Sequence, residues 1–285
     1  MHVSKIIIQE EHKMKKLIAL LLTLTFILSL SGAALAENKL EKILSVGEIT
    51  FATSPDFAPC EFINPNATGD DQYVGADVEL AKYIAESLGV KLVIMPMEFS
   101  ALQAAITQGK VDMAISGFAY TEERAENMQL SAFFNYTEDE GQGLLVLKDK
   151  AAEYATAESF AGKTIGAQNG SLQYSLTEEQ LPDAEIKLIS TLGDGILMVQ
   201  NSKIDGLACS GDQARLYVEK NSDLAIADWT FNYSSSGNIV LCKKGETALV
   251  AEINKALAEV NDQGLYAQWK ADATELAESL GIETN

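Results

Sequence analysis

Histidine is the scarcest reactive residue. The chain has two, His2 and His12, so nothing after the first dozen residues carries an imidazole. That excludes Ser-His-Asp and Cys-His catalysis and histidine-ligated zinc from the body of the protein. Cysteine is nearly as sparse. Cys60, Cys209 and Cys242 are far apart and odd in number, so they form no disulfide framework. Two readings stay open: one exported pair, or three small buried thiols kept reduced. Basic residues number 21 against 41 acidic ones. This balance argues against nucleic acid or an anionic membrane as partner, and reads as a solvated acidic surface with a weak pull on cations.

Long apolar runs are also lacking, with one exception. Leu17–Leu30 is apolar for about 14 residues, short of the roughly 20 that a membrane span needs. Met14-Lys15-Lys16 precedes it, and Ala34-Leu35-Ala36 follows as a small-x-small cleavage site. These are the three parts of a secretory signal peptide, which places the mature start near Glu37. No cysteine stands at the cleavage site, so a lipid anchor is not expected. Residues 1–13 fit no part of a signal. Gln9-Glu10-Glu11 is encodable by a purine-rich ribosome-binding sequence, so Met14 is the expected start. Removing residues 1–36 takes four lysines and two acids with it. The mature chain then has 17 basic and 39 acidic residues and a formal charge of −22.

What remains has a βα rhythm. Ile49–Thr53 reads as a strand, ending in the turn-rich Ser54-Pro55-Asp56-Phe57. Apolar residues at Val78, Leu80, Ala81, Ile84, Ala85 and Leu88 recur at helical spacing and stop at Gly89. Val90–Met95 is a strand, Ser100–Gln108 a helix capped by Ser100, and Met113–Ile115 a strand. Asn64–Asp71 is polar and loop-like, and lacks the spacing and closing Glu of a calcium loop, so no metal is expected. The rhythm restarts after the strand Gln142–Leu147. Strands at Lys163–Ala167, Ile186–Ile189, Asp205–Cys209 and Leu224–Ala227 alternate with helices from Gly170-Ser171, Gly195 and Asp212. Asn238–Cys242 is a further strand. Two amphipathic helices, Leu249–Val260 and Ala271–Leu280, close the chain with Trp269 between them. The pattern predicts two α/β units with helix-covered sheets.

The stretch from Asp112 to Arg124 organises this plan. A short strand leads into the turn Ser116-Gly117, and Thr121 then caps a helix opened by Glu122 and Glu123. Such a turn is expected to leave backbone N–H groups free, with the Arg124 guanidinium within reach. Together they would form a carboxylate receptor. Spacing alone supports equally an ordinary strand–turn–helix with a surface Arg. The second unit has a similar turn, Asn169-Gly170-Ser171, at the end of a strand, where open α/β sheets bind ligands.

Several stretches carry a specific likeness. They are Gly75-Ala76-Asp77-Val78-Glu79-Leu80-Ala81, Leu102–Asp112, Ser116-Gly117, Thr121-Glu122-Glu123-Arg124, Phe160–Gly166 and Lys203-Ile204-Asp205-Gly206. Over nearly the whole mature chain, the sequence resembles family 3 of the bacterial extracellular solute-binding proteins, the receptors of polar amino-acid ABC transporters. The resemblance implies a two-lobed, type II periplasmic-binding-protein fold with two crossover hinge strands, near Gly143–Leu147 and Asn238–Cys242. Residues 37–142 and 239–285 would form lobe 1, and 143–238 lobe 2. It also implies a monomer, without cofactor, that delivers a small amino acid or carboxylate to a membrane permease.

The same resemblance assigns residues. Arg124 would clasp the ligand carboxylate, helped by Ser116, Gly117, Thr121 and the Gly170-Ser171 turn. Phe57 and Phe99 would line the side-chain pocket, although core packing is the alternative for both. Gln168 would reach the ligand side chain. Ser54 and Ser210 stand where relatives carry acids, each with an acid two residues later, Asp56 and Asp212. Ala119 replaces a common hydroxyl. The carboxylate half of the site is thus better specified than the ammonium half. An enzyme of cyclohexadienyl-dehydratase type is the alternative on this fold. It needs an acid or base in the cleft, and neither a histidine nor an acid at Ser210 is there to serve.

Overall fold

The structure, a computed structural model, describes residues 38–135, 141–234 and 236–282, without the side chain of Asp212. The expected signal peptide, cleavage site and start lie outside the described residues.

The described chain opens with a helix, α1 (Lys39–Val46). The Asn38 side chain caps it and Gly47, at φ 77°, ends it. Eight residues give too few turns for the apolar spacing to signal this helix. β1 (Glu48–Thr53) runs into a small meander of β2 (Asp56–Phe57), β3 (Glu61–Ile63) and β4 (Tyr73–Val74). Next come α2 (Ala76–Ser87), β5 (Lys91–Pro96), α3 (Phe99–Thr107), β6 (Met113–Ala114), α4 (Glu122–Asn127) and β7 (Met128–Leu130). The second half has β8 (Gln142–Leu147), β9 (Thr164–Gln168), α5 (Leu172–Gln180), β10 (Glu185–Ile189), α6 (Leu192–Gln200), β11 (Gly206–Ser210), α7 (Gly211–Lys220) and β12 (Leu224–Ile226). β13 (Leu241–Lys243), α8 (Thr247–Gln263) and α9 (Leu265–Ser279) finish it.

Two five-stranded sheets share one plan. The first has the order β5-β1-β6-β13-β7 and the second β10-β9-β11-β8-β12. In each, three parallel strands are followed by an antiparallel fourth. That fourth strand lies beside a point where the chain changes sheets: β8 as it enters the second, β13 as it returns to the first. The crossings are marked by isolated bridges, Asn238 to Ala119 and Phe134, and Gln142 to Phe231.

Both ends of the chain share the first core. Ile49, Phe51, Leu80, Ile84 and Met113 pack with Val240, Cys242, Leu257 and Tyr266. The second sheet buries Leu144, Ile165, Ala208 and Phe231 on one face and Leu145, Leu207 and Tyr217 on the other. All three cysteines are buried and none is joined in a disulfide, which favours the reading of small buried thiols.

Two local expectations need correction. α3 begins at Phe99 with Glu98 at its cap position, so Ser100 lies inside the first turn. α8 and α9 meet at Gly264, whose φ of 66° makes the bend. Trp269 is therefore inside α9, where it packs against Tyr83 at 5.8 Å between ring centroids.

Candidate functional site

The residues expected at the site gather at the carboxyl ends of β1, β6, β9 and β11, the side on which such sheets take ligands. Thr121 does cap α4, its Oγ1 accepting from the Arg124 N–H at 3.2 Å. This cap starts the helix three residues before Arg124 and fixes where the guanidinium emerges. The Arg124 side chain is then drawn inward and is 3% exposed. Its Nη1 donates to the Ala119 carbonyl at 2.5 Å, and its carbon Cζ lies 5.0 Å from the centroid of the Phe118 ring. Its Nη2 donates to the Gly170 carbonyl of the second lobe at 2.9 Å. Nε has no partner. Burial lowers the pKa of this group to about 10, so it stays charged at neutral pH. Among the described residues it has no carboxylate partner. A buried cation whose acceptors among the described residues are two neutral carbonyls, with Nε left over, is suited to an anion.

The turn before it differs from expectation. The Ser116 hydroxyl and the Gly117 N–H are not free, because both are bonded into the first core. Ser116 Oγ donates to Glu61 Oε1 at 2.6 Å and accepts from the Ser54 N–H at 3.1 Å. The Gly117 N–H donates to Asp77 Oδ2 at 3.0 Å. The physical reason is a buried acid pair directly behind the turn. Glu61 and Asp77 are wholly enclosed, and Asp77 also accepts from the Tyr266 hydroxyl at 2.6 Å. Burial and then the charge of Asp77 push the Glu61 pKa well up, which favours its protonated form, and burial raises the Asp77 pKa as well. Gly117 still serves the site sterically. At φ 57° it is left-handed, and a Cβ there would sit 3.1 Å from Phe57 Cε1, so the absence of a side chain lets that ring approach.

The second lobe contributes its own turn. Gly170, at φ 74°, turns its carbonyl toward the first lobe, where it accepts from Gln103 Nε2 at 2.8 Å as well as from Arg124. Ser171 caps α5 by accepting from the Tyr174 N–H at 3.0 Å, and is buried. Gln168 is buried, with Nε2 donating to the Ser190 carbonyl at 2.9 Å.

The remaining expected residues divide. Phe57 is half-buried and packs against the apolar cluster of the second lobe, so it bridges the cleft. Phe99 is half-buried and packs on Phe118, ring centroids 5.0 Å apart, within the first lobe. Ser54 is buried and donates to Asp56 Oδ1 at 2.7 Å. Ser210 caps α7, accepting from the Gln213 N–H at 3.4 Å. The side chain of Asp212 lies outside the described residues.

Two participants are absent from the set read off the sequence. Gln103 sits on a helix face where a polar residue gives no signal, and only the cross-lobe contact exposes it. Asp56 was visible merely as an acid near Ser54. Its Oδ2 is enclosed and unpartnered, and burial raises its pKa. Buried side-chain atoms without a partner among the described residues are Thr53 Oγ1, Asp56 Oδ2, Glu61 Oε2, Arg124 Nε and Gln213 Nε2. Buried polar groups are normally paired; of these five, Glu61 Oε2 belongs to the acid pair behind the turn and Arg124 Nε to an expected site residue. A separate concavity of about 490 Å³ on the second lobe, lined by Leu188, Leu197, Met198 and Lys203 among others, involves none of these residues.

Comparison with known proteins agrees with the fold. The family model for bacterial extracellular solute-binding proteins, family 3, matches residues 49–272. The arginine-binding extracellular protein of Bacillus subtilis is 28% identical over 258 residues, covering 88% of this chain and 94% of its own. An amino-acid ABC transporter substrate-binding protein from Streptococcus pneumoniae, solved bound to L-arginine, is 32% identical with a TM-score of 0.74. That match covers 83% of this chain and 98% of the solved one. A cyclohexadienyl dehydratase from Pseudomonas aeruginosa is 28% identical over 192 residues, covering 66% of this chain and 68% of its own. The family match spans most of the sequence, and the two-sheet plan is that of type II periplasmic binding proteins. The chain belongs to family 3 of the bacterial extracellular solute-binding proteins.

Proposed function

We propose that this protein is an exported, monomeric receptor that closes its two lobes on the carboxylate of a small amino acid or related acid and delivers it to an ABC permease. The observation that carries this reading is the Arg124 guanidinium. It belongs to the first lobe, is buried, and already reaches a carbonyl of the second. A ligand carboxylate is a stronger acceptor than the neutral Gly170 carbonyl, since charge-assisted hydrogen bonds are roughly twice as strong as neutral ones. It would replace that carbonyl on Arg124, with Nε and Nη2 as a paired fork. The Gly170-Ser171 turn would then meet the same carboxylate only in the closed form. This supplies the differential affinity that ligand-driven closure requires. The arginine-binding names of relatives support an amino acid as the class.

The test is a thermal-shift screen across L-amino acids and small carboxylates, followed by calorimetry on the wild type and Arg124→Ala. We expect at least one amino acid to raise the melting temperature. Arg124→Ala should lose binding while melting within a few degrees of the wild type. Retained affinity in that variant would overturn the assignment.

The enzymatic reading has one observation in its favour: Asp56 is a carboxyl with a raised pKa in the cleft. We read the site as binding rather than catalytic because the chain brings no histidine to it and Ser210 holds the position of the expected acid. Turnover of prephenate or arogenate by the purified protein would reverse that reading.

A further inference from the structure

We propose that the Tyr233 hydroxyl is a further grip on the ligand carboxylate, carried by the second lobe and brought onto the ligand only when the lobes close. This deepens the reading of Arg124 as the carboxylate clasp and rests on it.

The need for another donor follows from the first lobe. A carboxylate has about four lone-pair sites, and an enclosed one is tolerated only when its oxygens are well supplied with hydrogen bonds. Arg124 has Nη1 committed to the Ala119 carbonyl, which leaves Nε and Nη2 for the ligand. The Ser116 hydroxyl and the Gly117 N–H, expected as helpers, are spent on Glu61 and Asp77. The Ala119 side chain is a methyl and donates nothing. Further donors therefore have to come from the facing lobe.

Tyr233 is placed to supply one. It lies on the return crossing, between Phe231, bridged to Gln142, and Asn238, bridged to Phe134. Its ring packs on the second-lobe cluster that includes Leu144, Ile165 and Phe231, and Ala119 of the first lobe packs on the same cluster. The residue before it is tied to the end of α5 by two bonds. The Asn232 N–H donates to Gln180 Oε1 at 2.9 Å, and Gln180 Nε2 donates to the Asn232 carbonyl at 3.1 Å. α5 is the helix that Ser171 caps, so Tyr233 and the Gly170-Ser171 turn are tied into one unit. Yet the hydroxyl reaches the first lobe. It donates to the Tyr120 carbonyl, next in the chain to the carbonyl that holds Arg124 Nη1. After burial, the strongest influence on the Arg124 charge is Tyr233, ahead of Glu123, the acid beside that arginine in the chain. At 3.5 Å the bond to Tyr120 is longer than the roughly 2.5–3.0 Å usual between a hydroxyl and an oxygen acceptor. A carboxylate oxygen, being charged, is the stronger acceptor and draws the hydroxyl from it.

The test is calorimetry on the mature chain with each proteinogenic L-amino acid, then with the α-amide of the one bound most tightly. Tyr233→Phe keeps the ring and deletes only the hydroxyl. We expect it to weaken that amino acid by about tenfold or more, the scale of a hydrogen bond to a charged group. The α-amide presents a neutral oxygen and should lose only about threefold or less. The unliganded variant should melt with the wild type. Unchanged affinity in Tyr233→Phe would overturn the proposal, and the clasp stands without it if Arg124→Ala still loses binding. Equal losses for the amino acid and its α-amide would overturn it as well, and make the hydroxyl a fastener between the lobes. A lowered melting temperature in the unliganded variant would assign the hydroxyl to folding and overturn it too. A wild type that binds no amino acid overturns this proposal together with the amino-acid reading. If the α-amide binds too weakly to measure, the loss for the amino acid decides alone.

Discussion

Substituting Glu61 by Gln should be nearly harmless at neutral pH, although Glu61 is a fully buried acid. Burial and the neighbouring Asp77 favour the protonated form of Glu61, while Asp77 takes hydrogen bonds from Tyr266 and Gly117. A glutamine has the same shape and still presents a donor toward Asp77 and an acceptor to Ser116. The expected cost at pH 7 is under about 1 kcal/mol, within the range of a single neutral hydrogen bond. Asp77→Asn is the contrast, because it removes the anion that the Tyr266 hydroxyl and the Gly117 N–H both address. Hydrogen bonds to a charged group contribute about 1.5–3 kcal/mol each, so about 3 kcal/mol or more should be lost. The pH dependence separates the two roles further. A carboxyl with a folded pKa above its unfolded value binds more protons in the native state. Its contribution is full below the ordinary value of 4.5 and declines as pH rises toward the folded value. Each pH unit in that window takes up to about 1.4 kcal/mol. Urea unfolding from pH 4.5 to 8 should therefore show stability falling with pH in the wild type and a flatter profile in Glu61→Gln. If Glu61→Gln costs as much as Asp77→Asn at pH 7, Glu61 is ionised and the argument fails.

Gly75→Ala should cost about 3 kcal/mol or more in unfolding free energy. The residue lies at φ 127°, and its Cβ would sit 2.6 Å from the Cys60 carbonyl carbon, backbone that cannot move without breaking the Asp77 N–H bond to that carbonyl. Gln103→Ala removes a cross-lobe bond but no buried apolar surface. Calorimetry should find ligand affinity reduced about fivefold with an unchanged melting temperature, and a large drop in melting temperature would mark Gln103 as a packing residue instead. Burial pushes the Cys209 thiol up to about 12 and Cys242 higher still. A thiol reagent at pH 8 should find these cysteines unreactive in the native protein and fully reactive in denaturant.

The sequence displayed the regular elements well because they obey a period. β8 is found where the apolar run Gln142–Leu147 lies, and α2 where the helical spacing from Val78 to Leu88 places it. The meander of β2, β3 and β4 has strands of two or three residues, too short to display alternation, and it read as a turn followed by a loop. At the site, Thr121 and Arg124 were legible because a cap and its helix are local in sequence. The bonds of the Ser116 hydroxyl and the Gly117 N–H were not legible because their partners, Glu61 and Asp77, come from segments 55 and 40 residues away. A spacing argument cannot tell an idle N–H from one already taken. The bond from Gln103 to the Gly170 carbonyl joins residues 67 apart, and such a contact is written in no single stretch of chain.

The position of β13 has a consequence for how the molecule comes into being. This strand is slotted between β6 and β7, pairing Leu241 and Cys242 with Ala114 and Met113 on one side and with Leu130 and Gln129 on the other. A chain emerging from its amino end makes both neighbours more than a hundred residues before the piece that joins them. Without β13 the earlier sheet is three strands and a lone β7, whereas the later one is contiguous from β8 to β12, so the first sheet is completed by a strand made after the whole of the second.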